Sequence, residues 1–245
     1  MEKLVIIPTY NEKDNIESLI EAIIKLPVSF DILIIDDNSP DKTAEIVESL
    51  QKNYPEGRIN LIKRQGKLGL GTAYITGFRW AIEKKYDYIF EMDADFSHDP
   101  KDLVRLFGAC ESQNADLVIG SRYITGVNVV NWPMGRVLMS YFASHYVRFI
   151  TGMPVFDTTA GFKCYRRRVL ENIDLDKIKF KGYAFQIEMK FTAWKMGFKI
   201  IEIPIIFTDR KKGSSKMSGG IFNEAFWGVL KMKFYSFFKK YPKFN

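Results

Sequence analysis

The sequence predicts an α/β protein in which helices flank both faces of a mostly parallel sheet. Short apolar runs alternate with helical patterns through the first half of the 245 residues, and this βαβα order is typical of a parallel sheet. The apolar runs are nearly continuous, as expected for strands that are buried on both faces. No linker-like stretch rich in Pro, Gly or Ser interrupts the pattern, so we expect a single domain.

The first half of the chain contains five predicted strands and four predicted helices. The strands are expected at Lys3–Pro8, Phe30–Asp36, Ile59–Arg64, Tyr86–Asp93 and Ala115–Arg122. Helical periodicity is found at Asn15–Ile24, Lys42–Asn53 and Thr72–Lys85, and again after Pro100. Proline suits the first turn of a helix, where its missing N–H would have no helical partner in any case.

The second half is less regular. Helices are expected at Arg136–Gly152 and Ala184–Gly197, and Gly161–Arg167 is expected to form a strand that enters a short helix. Another strand, Lys199–Phe207, contains Pro204, which cannot donate a backbone hydrogen bond and therefore indicates an edge of the sheet. Helical character returns from Ile221 onwards.

Charge and cysteine usage limit the possible function classes. The formal net charge is +7, but nine basic residues and one acidic residue lie within Arg210–Asn245, so the preceding part is almost neutral. A neutral body disfavours nucleic-acid binding. No apolar run approaches the ~20 residues that span a bilayer, and the N-terminus lacks a signal-peptide layout. Cys110 and Cys164 lack metal-binding spacing and are expected to be buried thiols, so we expect a cytoplasmic protein.

Polar or glycine-rich residues follow every strand of the first half. The five segments are PTYNE, DDNSPD, RQGKLGLGTA, DAD and GSRY. Ligands of open parallel sheets bind beyond the carboxyl ends of the strands. The convergence of these segments therefore predicts a ligand site at that edge of the sheet.

Asp93 and Asp95 follow the fourth strand, two positions apart and directly after Glu91 and Met92. Carboxylates this close repel one another unless a cation lies between them. Mg²⁺ or Mn²⁺ prefers oxygen ligands and takes one or two carboxylates, with substrate phosphates completing its shell. The alternative is a solvated acidic turn that caps the helix after Pro100.

The segment KLGLGTAYITG, Lys67–Gly77, resembles a dinucleotide-binding loop only in part. Its third glycine follows six residues after the second, so the G-x-G-x-x-G spacing is absent and hydride transfer is disfavoured. The loop either lies beside a nucleotide or forms a tight turn between strand and helix.

Eight motifs together resemble the dolichol- or polyprenol-phosphate mannose synthases, which are inverting nucleotide-sugar glycosyltransferases with the GT-A fold. They are VIIPTYNE, IIDDNSPDKT, KLGLGTAYITGF, MDADFSHDP, GSRY, DTTAGFKCYRR, KGYAFQIEM and DRKKGSSKM, and they extend from Leu4 to Met217. The resemblance implies a GT-A domain at 1–220, with a nucleotide-sugar-binding half at 1–122 and an acceptor half at 123–220. The tail, 221–245, would be an amphipathic helix on the membrane surface.

The resemblance also implies roles for residues that bind the donor. Four residues would hold the nucleoside, namely Pro8, Tyr10, Glu12 and Asp37. Asp93 and Asp95 would bind Mg²⁺ or Mn²⁺, and Ser97 occupies the position where some relatives have a Gln ligand. Arg210 and Lys216 would bind the diphosphate of the donor, which is expected to be GDP-mannose.

The acceptor would be a polyprenyl or dolichyl phosphate. Arg136 and Ser140 are four residues apart on one helix face, and with Arg122 they would cradle the phosphate. The alternative is that these are ordinary surface arginines. The acceptor oxygen would attack the anomeric carbon in one inverting displacement without a strong base, so His98 and His145 are expected not to be catalytic. Gln186 and Glu188 are expected near the sugar or the acceptor.

The tail is expected to bring the protein to its lipid substrate. Five apolar residues recur every four positions, namely Phe222, Phe226, Leu230, Phe234 and Phe238. Five lysines surround them, namely Lys231, Lys233, Lys239, Lys240 and Lys243. Such a helix lies in the interface of an anionic membrane, here expected at the cytoplasmic face. A second apolar stripe lies in the middle of the chain, at Met139, Phe142, Tyr146 and Phe149. The alternative for either helix is packing on the core.

Three other functions remain open at this point. The first alternative is transfer of glucose or another sugar to the same lipid, because the motifs specify neither sugar nor base. The second is a nucleic-acid-binding module whose aromatic tail stacks on bases, although converging carboxylates would repel a phosphate backbone. An inactive relative that serves as a subunit is disfavoured by the presence of Asp93 and Asp95.

Overall fold

The fold alternates strands and helices through its first half, as the sequence predicts. The computed structural model describes residues 1–182, 184–209 and 220–244, with the backbone alone for 220–225. The elements of the first half are β1 (Lys3–Thr9), α1 (Ile16–Ile24), β2 (Asp31–Asp36), α2 (Thr43–Gln51), β3 (Ile59–Lys63), α3 (Leu70–Glu83), β4 (Tyr88–Glu91), α4 (Asp102–Ser112) and β5 (Leu117–Ser121).

The second half adds shorter strands and the two longest helices of the described chain. Its elements are β6 (Val129–Val130), α5 (Met134–Thr151), β7 (Lys163–Arg166), α6 (Arg167–Asn172), a 3₁₀ turn (Leu175–Lys177), α7 (Ala184–Lys195), β8 (Ile200–Pro204), β9 (Phe207–Thr208) and α8 (Gly220–Tyr235). Within the described ranges, no helix is long and apolar enough to cross a membrane.

Seven strands form the central sheet in the order β3-β2-β1-β4-β7-β5-β8. All neighbours are parallel except β7, which pairs antiparallel with both β4 and β5. The mostly parallel sheet is confirmed, and β8 with Pro204 lies at its edge as predicted. The insertion of β7 between β4 and β5 brings a strand from the second half beside β4, which ends at Glu91, two residues before Asp93.

Each face of the sheet carries its own apolar core. Alternate residues of β1 pack on opposite sides, so that Leu4 and Ile6 belong to one cluster while Val5 and Ile7 belong to the other. The first cluster lies under α3 and α7, and the second under α1 and α4. The continuous apolar runs of the sequence are explained by this burial on both faces.

The C-terminal helix packs on α5 and α7 with one side and exposes the other. Val229 and Met232 are buried, and Phe244 packs against the first core cluster beyond the end of the helix. Exposed aromatic side chains lie on α8 and directly after it, namely Phe226, Trp227, Phe234, Tyr235, Phe237 and Phe238. The helix ends at Tyr235, so the rest of the tail does not continue the predicted helix.

Candidate active site

A cavity of about 1220 Å³ opens at the carboxyl ends of β1, β2, β4 and β5. It is lined by all ten candidate residues that lie in the described ranges, namely Pro8, Tyr10, Glu12, Asp37, Asp93, Asp95, Ser97, Arg122, Arg136 and Ser140. Eight of them lie at or just after the carboxyl ends of parallel strands, which meet at one edge of the sheet. The remaining two of these ten, Arg136 and Ser140, come from α5. The other two candidates, Arg210 and Lys216, lie outside the described residues.

The end of the cavity at β1 and β2 presents oriented carboxylates. Asp37 receives two hydrogen bonds from Arg64, at 2.6 and 2.7 Å, and the two side chains are nearly buried. Burial raises the pKa of Asp37, and the bonds from Arg64 oppose that rise. Glu12 accepts a hydrogen bond from the side-chain amide of Asn15 at 2.9 Å. Both carboxylates are thus held in place by neighbours that contribute no negative charge.

The loop after β4 gathers three oxygen-bearing side chains. Asp95 is buried and accepts the Ser97 N–H at 3.0 Å, whereas the side chain of Asp93 is 40% exposed. Phe96, between Asp95 and Ser97, has a φ of 58°, a left-handed conformation that is strained for a bulky side chain. Strain of this kind persists only where the surroundings impose it, and here it produces a sharp turn at the cavity wall.

The donor set of this loop fits a small divalent cation. Among the described residues, Ser97 Oγ is one of four buried side-chain oxygen or nitrogen atoms without a hydrogen-bond partner. Two carboxylates and a hydroxyl that lacks a partner form the oxygen set that Mg²⁺ or Mn²⁺ accepts, with substrate and water completing the shell. The described part of the chain contains no cluster of three His, Cys, Asp or Glu side chains suited to a metal, so protein carboxylates alone would leave the shell open.

His98 lies behind the same loop and is buried against aromatic rings. It stacks on Phe162 with a centroid separation of 4.7 Å, and its Nδ1 accepts the Asp93 N–H at 3.4 Å. Burial lowers the pKa of His98 to about 4. A neutral imidazole that accepts this hydrogen bond supports the turn.

Arg122 lies at the end of β5 and is engaged by a carboxylate. Its Nε and one terminal nitrogen donate to the two oxygens of Asp157, each at 2.7 Å, and the same terminal nitrogen donates to Thr159 Oγ1 at 2.8 Å. Burial opposes ionisation of Asp157, but Arg122 outweighs it and lowers the pKa of that carboxyl. Arg122 lines the cavity as half of a buried ion pair.

Arg136 is held in a similar way on the first turns of α5. It donates to Asp209 at 2.9 Å, and its guanidinium lies 4.0 Å from the ring centre of Trp132. Ser140 lies one turn further along and accepts the hydroxyl hydrogen of Tyr123 at 2.7 Å. The three acceptor candidates, Arg122, Arg136 and Ser140, therefore share one wall of the cavity.

Below this wall lies a fully buried polar network. Glu91, at the end of β4, forms an ion pair with Lys163 of β7 at 3.0 Å and accepts hydrogen bonds from Tyr165 and Gln186. Gln186 lines the cavity and also accepts a bond from Lys163. Glu188 does not line the cavity, because its carboxylate accepts the backbone N–H groups of residues 179 and 180.

The glycine at position 71 of the glycine-rich loop allows another segment of the chain, residues 180–185, to pack closely against it. A Cβ on Gly71 would lie 2.8 Å from the Phe185 ring and 2.9 Å from the Phe180 carbonyl oxygen. The Gly71 N–H donates to the carbonyl of Lys181 at 2.8 Å. The loop thus serves the close approach of residues 180–185 to the start of α3, while its edge still lines the cavity.

An apolar wall between α5 and α8 completes the cavity. Its lining side chains include Met139, Phe142, Tyr146, Val147 and Phe226. Tyr146 stacks on Phe226 with a centroid separation of 4.8 Å and an interplanar angle of 13°. One end of the cavity is therefore carboxylate-rich, and the other is suited to a hydrocarbon.

Sequence reasoning missed the partners of the candidate residues. Arg64, Asp157, Trp132 and Asp209 each contact a candidate residue. The first, second and fourth of these begin quoted segments, but the sequence assigned them no role, and Trp132 lies outside every quoted segment. Arg122 and Asp157 are 35 positions apart, and Arg136 and Asp209 are 73 apart. Charge complementarity between the motifs GSRY and DTTAGF could have suggested the first pair, but no spacing rule joins such distant segments.

Comparison with known proteins places these features in a family. The model of glycosyl transferase family 2 matches residues 4–174. The chain is 44% identical over 231 residues to a polyprenol monophosphomannose synthase of Mycolicibacterium smegmatis, covering 92% of this chain and 86% of that protein. It is also 44% identical to an undecaprenyl-phosphate mannosyltransferase of Micrococcus luteus, covering 94% and 93% respectively.

Solved structures share the fold at low sequence identity. A glucosyl-3-phosphoglycerate synthase from Mycobacterium tuberculosis, solved with Mn²⁺, UDP and glucosyl-3-phosphoglycerate, superposes with a TM-score of 0.65 at 17% identity, covering 96% of this chain and 79% of that one. A mannosyltransferase from Pyrobaculum calidifontis, solved with GDP-Man and Mn²⁺, gives 0.60 at 17% identity, covering 98% and 66%. These likenesses establish the GT-A-like fold.

Proposed function

Because the chain belongs to glycosyl transferase family 2, we propose that it transfers a mannosyl residue from GDP-mannose to a polyprenyl phosphate. The observation that carries this proposal is the composition of the cavity, which joins a carboxylate-rich end at β1, β2 and β4 to an apolar wall between α5 and α8. A water-soluble nucleotide and a lipid phosphate need these two environments within reach of one another. The two relatives named as acting on polyprenyl phosphates support the choice of acceptor and sugar.

The donor would occupy the end of the cavity at β1 and β2. Glu12 and Asp37 are fixed by Asn15 and Arg64, so their carboxylate oxygens can accept hydrogen bonds from ribose hydroxyls or base N–H groups. Pro8 and Tyr10 supply the wall against which the base packs. The diphosphate would then extend towards Asp93 and Asp95, and Arg210 and Lys216 are proposed to bind it as well.

Asp93, Asp95 and Ser97 would hold Mg²⁺ or Mn²⁺. The bound cation would supply positive charge that stabilises the nucleoside diphosphate as it leaves. The strained turn at Phe96 would keep Asp95 and Ser97 on the same side of the loop. Structures with this fold that were solved with Mn²⁺ support the choice of a divalent cation.

The acceptor phosphate would bind on the wall formed by Arg122, Arg136 and Ser140. Its oxygens are negative near neutral pH, so they can attack the anomeric carbon without a strong base, and a single displacement would invert the configuration. A guanidinium carries five N–H donors, and the bond from Arg136 to Asp209 uses only one of its terminal nitrogens. The isoprenoid chain would lie along the apolar wall.

We further propose that the exposed faces of α5 and α8 rest on the cytoplasmic face of a membrane. Phe142 and Phe149 of α5 are 62% and 86% exposed, and Phe234 of α8 is 60% exposed. Exposed aromatic residues beside lysines are typical of helices that lie in a membrane interface. The same two helices form the apolar wall, so a lipid could pass from the bilayer into the cavity.

Transfer of label from GDP-mannose into an organic-extractable product tests the proposal. With a polyprenyl phosphate and Mn²⁺, we expect label in the lipid phase, and we expect its loss with chelator or in Asp95→Ala. Asp99→Ala is the matched control, because Asp99 is exposed and does not line the cavity. Label from UDP-glucose but not from GDP-mannose would support sugar transfer to the lipid phosphate but show that the sugar is glucose rather than mannose. Equal transfer by Asp95→Ala would contradict the proposed metal site.

A further inference from the structure

We propose that Lys67 and Lys181 bind phosphate oxygens of the substrates in the candidate active site. The inference deepens the proposed function and rests on it. Both lysines line the cavity and are exposed. Neither forms an ion pair with a carboxylate of the described residues, in contrast to Arg122 and Arg136. Neither belongs to the residue set predicted from the sequence.

The main chain brings the two lysines to one place, the start of α3. Lys67 precedes Gly69 by two residues, and its Nζ lies 5.2 Å from the ring centre of Tyr10. Lys181 comes from the opposite half of the chain, and its carbonyl accepts the Gly71 N–H at 2.8 Å. A Cβ on Gly69 would lie 3.2 Å from the Cβ of Lys181, so the glycine permits this approach. The stems of both side chains therefore begin at fixed positions on the cavity rim.

The charge of the substrates favours cations at such a place. Five carboxylates line the cavity, namely Glu12, Asp37, Asp93, Asp95 and Asp209, of which Asp37 is paired with Arg64 and Asp209 with Arg136. The charges of Arg122 and Arg136 are already balanced by Asp157 and Asp209. A nucleoside diphosphate and a phosphate monoester would add several further negative charges. Lys67 and Lys181 supply unbalanced positive charge, and their flexible stems let the ammonium groups reach phosphate oxygens.

The position of each lysine suggests which phosphate it meets. Lys67 lies over Tyr10, at the end of the cavity assigned to the donor. Lys181 follows Phe180, whose ring packs closely on Gly228 of α8, since a Cβ added there would lie 2.7 Å from the ring. Lys181 is therefore near the helix that forms the apolar wall. The shared chemistry is a phosphate oxygen, which can come from the donor diphosphate or from the acceptor.

Equilibrium binding to the full chain in the presence of Mn²⁺ separates these sources. Lys67→Gln and Lys181→Gln are each titrated with GDP, UDP and citronellyl phosphate, and with the phosphate-free partners guanosine, uridine and citronellol. We expect each substitution to weaken at least one phosphate ligand about tenfold, as for the loss of one charged hydrogen bond, and to leave its phosphate-free partner unchanged. Lys67→Arg and Lys181→Arg should restore most of the affinity, because they keep the charge.

Two lysines outside the cavity serve as matched controls. Lys179 lies two residues before Lys181, with its ammonium over the Tyr235 ring, and Lys63 pairs with Glu48. Lys179→Gln and Lys63→Gln should bind every ligand as the unsubstituted protein does. Unchanged phosphate binding by both cavity variants, or an equal loss with the phosphate-free partners, would overturn the inference. If the unsubstituted protein transfers no sugar but binds phosphate through these lysines, the proposed function fails and the lysine assignment stands.

Discussion

At the scale of single residues, the buried pair of Arg122 and Asp157 explains how a basic side chain is held on the cavity wall proposed for the acceptor. The Asp157→Asn substitution keeps the shape but leaves the Arg122 guanidinium, which is 9% exposed, without its counter-charge. We expect a loss of about 3 kcal/mol in the free energy of unfolding. Urea denaturation of both proteins at neutral pH measures it, and a change below about 0.5 kcal/mol would contradict this reading.

The pH dependence of this loss follows from the lowered pKa of Asp157. Burial raises that pKa, but the charge and hydrogen bonds of Arg122 bring it below the ordinary value. A carboxyl with a lowered folded-state pKa stabilises the fold above its unfolded pKa, about 3.9, and loses that contribution as pH falls through the folded value. The difference between the two proteins should therefore stay constant between about pH 5 and pH 8 and shrink only in stronger acid.

Glu91 and Lys163 form a second buried ion pair, in which neither side chain is exposed. Both side chains are fully buried, and burial lowers the pKa of Lys163 while the carboxylate of Glu91 opposes that change. The pair therefore explains why a carboxylate stands two positions before Asp93, where the sequence shows only a cluster of acids. Its charge is balanced within the core, so it adds no net repulsion to the two aspartates at the cavity wall.

At the scale of elements, the contact between α3 and residues 180–185 depends on Gly71. We expect Gly71→Ala to lower the free energy of unfolding by about 1–3 kcal/mol, because the new methyl group meets the Phe185 ring and a backbone oxygen. Gly108→Ala on α4 is the control, since a Cβ there meets nothing within 4 Å. It should stabilise the protein by about 0.4–1 kcal/mol. Thermal unfolding of both variants checks the opposite signs, and equal shifts would contradict the packing argument.

Sequence patterns predicted a helix or strand well where the residues of that segment alone indicate whether it is buried or at an edge. The strands β1, β2, β4 and β5 are buried on both faces, so their apolar runs are unambiguous. Pro204 correctly predicted that its strand lies at the edge. The antiparallel insertion of β7 was not predictable, because its pairing with β4 and β5 depends on tertiary packing of Tyr165 and Cys164 rather than on a local signal. The candidate site followed from strand ends, whereas the partners of its side chains came from distant segments.

At the scale of the whole molecule, the exposed aromatic residues predict membrane binding. We expect the combined substitution of Phe234, Phe237 and Phe238 by Ser to abolish sedimentation with anionic liposomes, because these side chains are 60–74% exposed. Truncation of the whole tail is a poorer test, since Met232 and Phe244 contribute to the core. Leu68→Ser, an exposed apolar residue on another segment, is the control. Unchanged sedimentation of the triple variant would contradict membrane contact through α8.

The proposed inverting transfer of mannose to a lipid phosphate is best tested by the chemical structure of the product. We would incubate the full chain with GDP-mannose, a polyprenyl phosphate and Mn²⁺, and record ³¹P and ¹³C NMR spectra of the extracted lipid. We expect the phosphate monoester signal to be replaced by that of a phosphodiester, joined to mannose in the configuration opposite to that of the donor. A product with retained configuration, or free mannose with an unchanged monoester, would contradict the proposal.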